Sequence, residues 1–214
     1  MAIAFYAFLS FLLPFLWILY FYKKDKHPEP FFWLFLAFTL GIASALISYY
    51  AQENIHALFI NNDFLRILIF SLIEEFFKFF LIWLLIFPQK VFDEPVDAMI
   101  YMMFSALGFA FFENLFLVLR AKTISVIPVL TYRFFGANLL HILASSLIGY
   151  GYAFLVKTKR IFPFIISFLS GTLLHFLYNY LIISLPPGFI LVLPILWATF
   201  LVVLSELNYL AKNE

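Results

Sequence analysis

Residues 64–88 read FLRILIFSLIEEFFKFFLIWLLIFP. At 1.5 Å per residue a helix of this length is about 37 Å long, enough to cross the roughly 30 Å hydrocarbon layer of a bilayer. A strand reading fails, because the run does not alternate and unpaired backbone groups cannot face lipid. Similar apolar segments run over 2–22, 31–50, 96–119, 131–156, 162–184 and 189–210. They are separated by breaks such as His27-Pro28-Glu29-Pro30, Pro88-Gln89-Lys90 and Pro186-Pro187-Gly188. The expected fold is an all-α membrane protein with about seven transmembrane helices. Without an internal repeat or low-complexity tract, residues 1–214 read as one polytopic domain.

Composition agrees with a lipid solvent. Of the 214 residues 65% are hydrophobic, 22% aromatic and 12% charged. A soluble domain carries about a quarter charged residues, so this chain has too little polar surface to coat a globule in water. A net charge of +1 with no basic patch argues against a nucleic-acid partner. The absence of cysteine excludes disulfides, thiolate metal ligands and a cysteine nucleophile. Segment 2–22 has no basic stretch before it and no small-residue cleavage site, so it reads as a retained helix rather than a signal peptide.

Basic residues set the expected orientation. Lys23, Lys24, Lys26, Lys90, Lys157, Lys159, Arg160 and Lys212 fall at one face, eight in all; Arg66, Arg120, Lys122 and Arg133 fall at the other, four in all. The bias places the N-terminus outside and the C-terminus in the cytoplasm of a bacterial-type plasma membrane.

The centre of 64–88 carries Glu74, Glu75 and Lys78. An unpaired charge at mid-bilayer costs about 2.5–3.5 kcal/mol or more, so each needs a partner or a purpose. Other segments supply Glu113 and Asn114, then Asn138, His141 and Ser145, then His175 and Asn179. Counted along their helices, these groups lie at one level in the outer half of the bilayer, so the site is expected among the third to sixth helices. Successive helical residues point about 100° apart, so Glu74 and Glu75 cannot share a direction. One is expected to face the site while the other pairs with Lys78, which lies within reach of either. His175 and Asn179 share a face and suit water activation and oxyanion stabilisation. Asp93, Glu94 and Asp97, near a helix N-terminus at the cytoplasmic side, read as solvated acidic residues favoured by the helix dipole.

In order, these residues resemble the PrsW family of intramembrane proteases. The family's EExxK is met by Glu74-Glu75-Phe76-Phe77-Lys78 and its FxxxE by Phe109 to Glu113, followed by His141 and His175 on separate segments. The early KKDKHPEP loop is also similar. The related CAAX prenyl endopeptidases carry EExxxR, FxxxH and HxxxN or HxxxD. His175 and Asn179 match the last of these, but Lys78 stands one residue early and Glu113 stands where that relative has histidine. The resemblance implies cleavage of a single-span or membrane-anchored protein substrate, such as an anti-sigma factor, within the lipid bilayer.

The expected chemistry is peptide hydrolysis by an activated water. Glu74, Glu75, His175 and Asn179 are the candidate catalytic groups, supported by Lys78, Glu113 and His141. A metal-free route has a glutamate of the pair as proton acceptor. A metal route has Glu113, His141 and His175, with Glu74 or Glu75, holding Zn²⁺ with one open position. Ligands drawn from separate helices leave no metal-specific spacing, so both routes stand. The rival function class is a proton- or ion-coupled transporter that uses the buried Glu/His groups as a relay.

Overall fold

The structure, a computed structural model, describes residues 27–120, 126–184 and 188–211, with single positions between 5 and 22. Those single positions are helical. The remainder of segment 2–22, the loop lysines Lys23, Lys24, Lys26, Lys122 and Lys212, and Pro186 and Pro187 of the expected turn lie outside the described residues.

Among the described residues all regular structure is helical. After Pro30 comes α1 (Phe31–Ile55), a 3₁₀ turn (His56–Phe59), α2 (Asp63–Leu85) and α3 (Asp97–Arg120). A short α4 (Val126–Arg133) passes through a π-helical turn (Phe134–Asn138) into α5 (Leu139–Thr158), followed by α6 (Ile161–Ser184) and α7 (Gly188–Leu210). Local signals explain several ends. The Asn62 side chain accepts the Leu65 N–H at 3.0 Å at the start of α2, with Asp63 in the first turn to suit the dipole. Lys159, at φ 59°, closes α5 in the left-handed conformation while its N–H donates to the Leu155 carbonyl at 2.8 Å.

Five described helices are long and apolar enough to cross a membrane: Phe31–Phe59, Asp97–Arg120, Ile127–Thr158, Ile161–Ser184 and Ile190–Leu210. Helix α2 has the length but carries three charged residues at its middle, and these are buried. The expected 131–156 segment begins earlier than its sequence break suggests, because α4 and the π turn prepend a continuous helical run from Ile127. Arg133, counted from the sequence among the cations of the outer face, ends α4 and pairs with Glu113, as described below.

Helices α3 and α5 form the centre, with α1 packed on α3, and α6 on α5 and α2. Without a hydrophobic drive between helices in lipid, close approach rests on small residues. A Cβ at Gly41 of α1 would fall on the Ser105 carbonyl, and one at Gly108 of α3 would fall on the Phe38 carbonyl. The two helices therefore cross in backbone contact. Large apolar side chains on the outside, among them Phe31, Phe162 and Leu201, form the surface that lipid covers.

Candidate functional site

Four helices bring the expected residues together. Glu75 and Lys78 are completely buried in α2, and their side chains pair at 2.6 Å between Lys78 Nζ and Glu75 Oε1. The same Glu75 oxygen accepts the His175 Nδ1–H from α6 at 2.7 Å, and Ser145 Oγ of α5 donates to Glu75 Oε2 at 2.9 Å. Both carboxylate oxygens of Glu75 are thus engaged. Because a carboxylate only accepts, His175 carries its proton on Nδ1 and turns an Nε2 lone pair the other way.

Glu74 is what Nε2 meets. Its Oε2 lies 3.4 Å from His175 Nε2, is buried and has no hydrogen-bond partner. Its other oxygen accepts from Gln52 Nε2 of α1 at 2.9 Å. The adjacent carboxylates therefore have different surroundings, as the 100° step between them requires.

His141 of α5 completes the cluster. Its ring stands nearly perpendicular to that of His175, with centroids 4.8 Å apart. Lys78 Nζ donates to His141 Nδ1 at 2.9 Å, so Nε2 carries the proton and donates to Glu113 Oε2 at 2.8 Å. Phe109, the aromatic residue of FxxxE, lies under Lys78 Nζ at 4.2 Å and packs on the His141 ring at 5.1 Å. It shields the ammonium while adding a cation–π contact.

Two residues assigned no site role from the sequence join here. Gln52 holds Glu74, and Arg133 donates from Nη2 to Glu113 Oε2 at 2.9 Å and from Nε to Asn114 Oδ1 at 2.5 Å. Asn114 in turn donates to Asn138 Oδ1 at 3.1 Å. Gln52 is a polar residue near the end of an apolar helix, a signal that could have been read. Arg133 meets Glu113 and Asn114 from another helix, a pairing that no local pattern announces.

Two cavities border the cluster. The larger, of about 550 Å³, is lined by Glu113, Arg133, His141, His175, Tyr178 and Asn179, among others. The smaller, of about 160 Å³, lies between α1 and α3 against Ser48, Tyr49, Gln52, Glu74 and Glu113. Glu113 borders both.

The donor set fits a metal ion. One ligand atom each from Glu74, His141 and His175 lies within 4.8 Å of the others, and all three residues are buried. The edge of a tetrahedral zinc site with bonds near 2.1 Å is about 3.4 Å, and the Glu74 Oε2 to His175 Nε2 separation is 3.4 Å. The unpartnered Glu74 oxygen is the further sign. These three all belong to the set expected from sequence; the fourth expected member, Glu113, is bonded to Arg133 and His141.

The family model described as PrsW family intramembrane metalloprotease matches residues 29–205. The chain belongs to this family. It is 28% identical to Protease PrsW of Oceanobacillus iheyensis over 202 residues, covering 91% of this chain and 90% of that protein. It is 30% identical to Protease PrsW of Geobacillus kaustophilus over 77% of this chain and 74% of that one. With Protease PrsW of Bacillus subtilis the identity is 25%, over 82% of this chain and 81% of its length. No solved structure matches the chain. Membership in the PrsW family decides between the two function classes the sequence left open: the chain is an integral membrane peptide hydrolase of a metalloprotease family.

Proposed function

We propose that residues 1–214 act as one polytopic unit that cuts a peptide bond of a single-span or membrane-anchored protein, using zinc held by Glu74, His141 and His175. The observation that carries this reading is the convergence of those three donors around a buried Glu74 oxygen that has no other partner. The PrsW resemblance supports an anti-sigma factor as the substrate, and the basic-residue bias supports cleavage in the outer half of the bilayer with the C-terminus cytoplasmic.

When bound, zinc supplies a polarised water and a Lewis acid for the scissile carbonyl. The chain's residues do the rest. Glu75 keeps the His175 proton on Nδ1, so Nε2 stays available as a ligand. Lys78 balances the Glu75 charge and fixes the His141 ring through Nδ1. Glu113 stands at the wall of the larger cavity, where its Oε2 accepts from Arg133 and His141; His141 would turn a ring nitrogen to the ion when one is held. Glu113 takes a proton from the attacking water and delivers it to the leaving amine. Asn179 Nδ2, in the same cavity, donates to the oxyanion.

The test is cleavage of a single-span substrate by the purified full-length chain in liposomes, with bound metal measured alongside. Glu113→Gln should retain zinc and lose about 10²–10⁴ in rate, the usual worth of a proton-transfer group. Glu74→Gln and His175→Ala should lose both zinc and activity. Undiminished cleavage by the metal-free enzyme, or by Glu113→Gln, would remove this mechanism.

A further inference from the structure

One turn beyond His175 on α6 stand two neutral donors, Tyr178 and Asn179. Helical steps of about 100° turn Tyr178 roughly 60° to one side of His175 and Asn179 roughly 40° to the other. Both line the larger cavity together with Glu113, Arg133 and His141. A substrate carbonyl reaching the cluster from that cavity therefore passes between a phenol and an amide. Asn179 is the oxyanion donor expected from the sequence, which assigned Tyr178 no site role.

Tyr178 is only 9% exposed, yet its hydroxyl forms no hydrogen bond with a described residue. A buried tyrosine hydroxyl usually has a partner, so this one is held for something the chain does not itself supply. The ring is anchored: it lies with Leu174 of α6 and with Val192 and Leu196 of α7 around a narrow apolar void. The hydroxyl end points the other way. Arg133 and Glu113 both act electrostatically on the phenol, and both stand at the larger cavity rather than around the void. A donor fixed by packing before substrate arrives needs little reorganisation when charge develops beside it. A phenol also suits a site within lipid, because it is neutral and adds no charge to desolvate.

We propose that Tyr178 is a second oxyanion donor, its O–H donating to the scissile carbonyl oxygen on the side opposite Asn179. This rests on the reading of the Glu/His cluster as the hydrolytic site. The bonds balance with the phenol keeping its proton throughout. The water oxygen bonds to the carbonyl carbon, one water proton passes to Glu113, and the carbonyl π pair moves onto the oxygen, where the Tyr178 hydroxyl and the Asn179 amide meet it. When the C–N bond breaks, Glu113 returns the proton to the nitrogen and the oxygen's pair re-forms C=O. Glu113 is neutral for as long as the oxyanion exists, so the Arg133 charge near the phenol is then unopposed and favours negative charge there.

The test is Tyr178→Phe, which deletes the hydroxyl and keeps the ring, in the full-length chain in liposomes. Cleavage is followed against increasing density of a single-span reporter protein that the wild-type chain cuts, with bound zinc and the unfolding midpoint measured alongside. The expected result is a kcat lower by about 10²–10³, the usual worth of one oxyanion donor. KM, zinc content and midpoint should stay at wild-type values, because the hydroxyl acts only in the transition state. A raised KM with unchanged kcat would overturn the proposal in favour of ground-state binding. Zinc lost together with activity would overturn it in favour of support for His175. A variant that fails to fold would overturn it too, by giving the hydroxyl a structural partner. Glu113→Gln, assayed in parallel, separates this inference from the reading beneath it. Loss of activity in Glu113→Gln with wild-type kcat in Tyr178→Phe overturns the role of Tyr178 alone, whereas wild-type kcat in both removes the proton-transfer reading with it.

Discussion

Glu75 accepts the Nδ1–H of His175 at 2.7 Å on the same oxygen that receives Lys78 Nζ at 2.6 Å. One buried carboxylate therefore orients an imidazole and neutralises an ammonium. Removing it should have two separable effects. Glu75→Ala frees the His175 ring, and loss of such an orienting partner typically costs about 10–100-fold in metal affinity or activity. It also leaves Lys78 buried and unpaired, which costs about 3–5 kcal/mol. The double variant Glu75→Ala/Lys78→Met should recover most of the thermal stability and none of the metal retention. Recovery of both, by unfolding midpoint and metal content, would show that Glu75 does not act through His175.

Gln52 should behave as a positioning residue. Its Nε2 holds Glu74 Oε1 at 2.9 Å from the neighbouring helix. Gln52→Leu keeps the size but leaves that oxygen without a donor, so zinc affinity should fall about tenfold with the chain still folded. Competition with a zinc chelator of known affinity measures this, and an unchanged dissociation constant counts against the role.

Arg133 should matter through Glu113. Its guanidinium gives Nη2 to Glu113 and Nε to Asn114, joining α4 to α3 beside the larger cavity. Arg133→Lys keeps the charge but cannot make both bonds in the same plane. Turnover should drop while bound zinc stays at wild-type level. If zinc is lost together with activity, Arg133 supports the ligands instead.

The α1–α3 crossing should tolerate no side chain. Gly41→Leu and Gly108→Leu place atoms on the Ser105 and Phe38 carbonyls, where only backbone can yield. Overpacking in a dense interior costs about 1–3 kcal/mol, and more when backbone must move. Both variants should unfold at lower temperature than wild type, whereas leucine at lipid-facing Val202 should be neutral.

The sequence made the helices legible because lipid allows little else: long apolar runs with polar breaks leave one backbone solution. The charged and imidazole groups were legible for the same reason, since Glu74, Lys78 and His141 are costly in hydrocarbon unless they meet. What depended on rotation about helix axes was not. Which of Glu74 and Glu75 keeps a free oxygen is decided by where Gln52, Ser145 and His175 stand around α2, and those residues come from three other helices. The count of cations places Arg133 toward the outer face; that its side chain meets Glu113 and Asn114 depends on how α3 stands beside α4. Asp97 reads as solvated because its helix-terminal position accounts for a carboxylate locally, whereas the structure buries it, with the distant Glu29 stretch beside it.

The contact at Gly41 and Gly108 stands next to open space. One turn beyond it, between Ala45 and Gln52 of α1 and Phe109 and Phe116 of α3, lies the chamber of about 160 Å³ beside Glu74 and Glu113. At about 30 Å³ per molecule in the liquid, that is room for roughly five waters. Peptide hydrolysis consumes one water per bond cut, and hydrocarbon holds almost none. A chamber of this size beside Glu74 and Glu113 would let an enzyme working in oil keep its second reactant within reach.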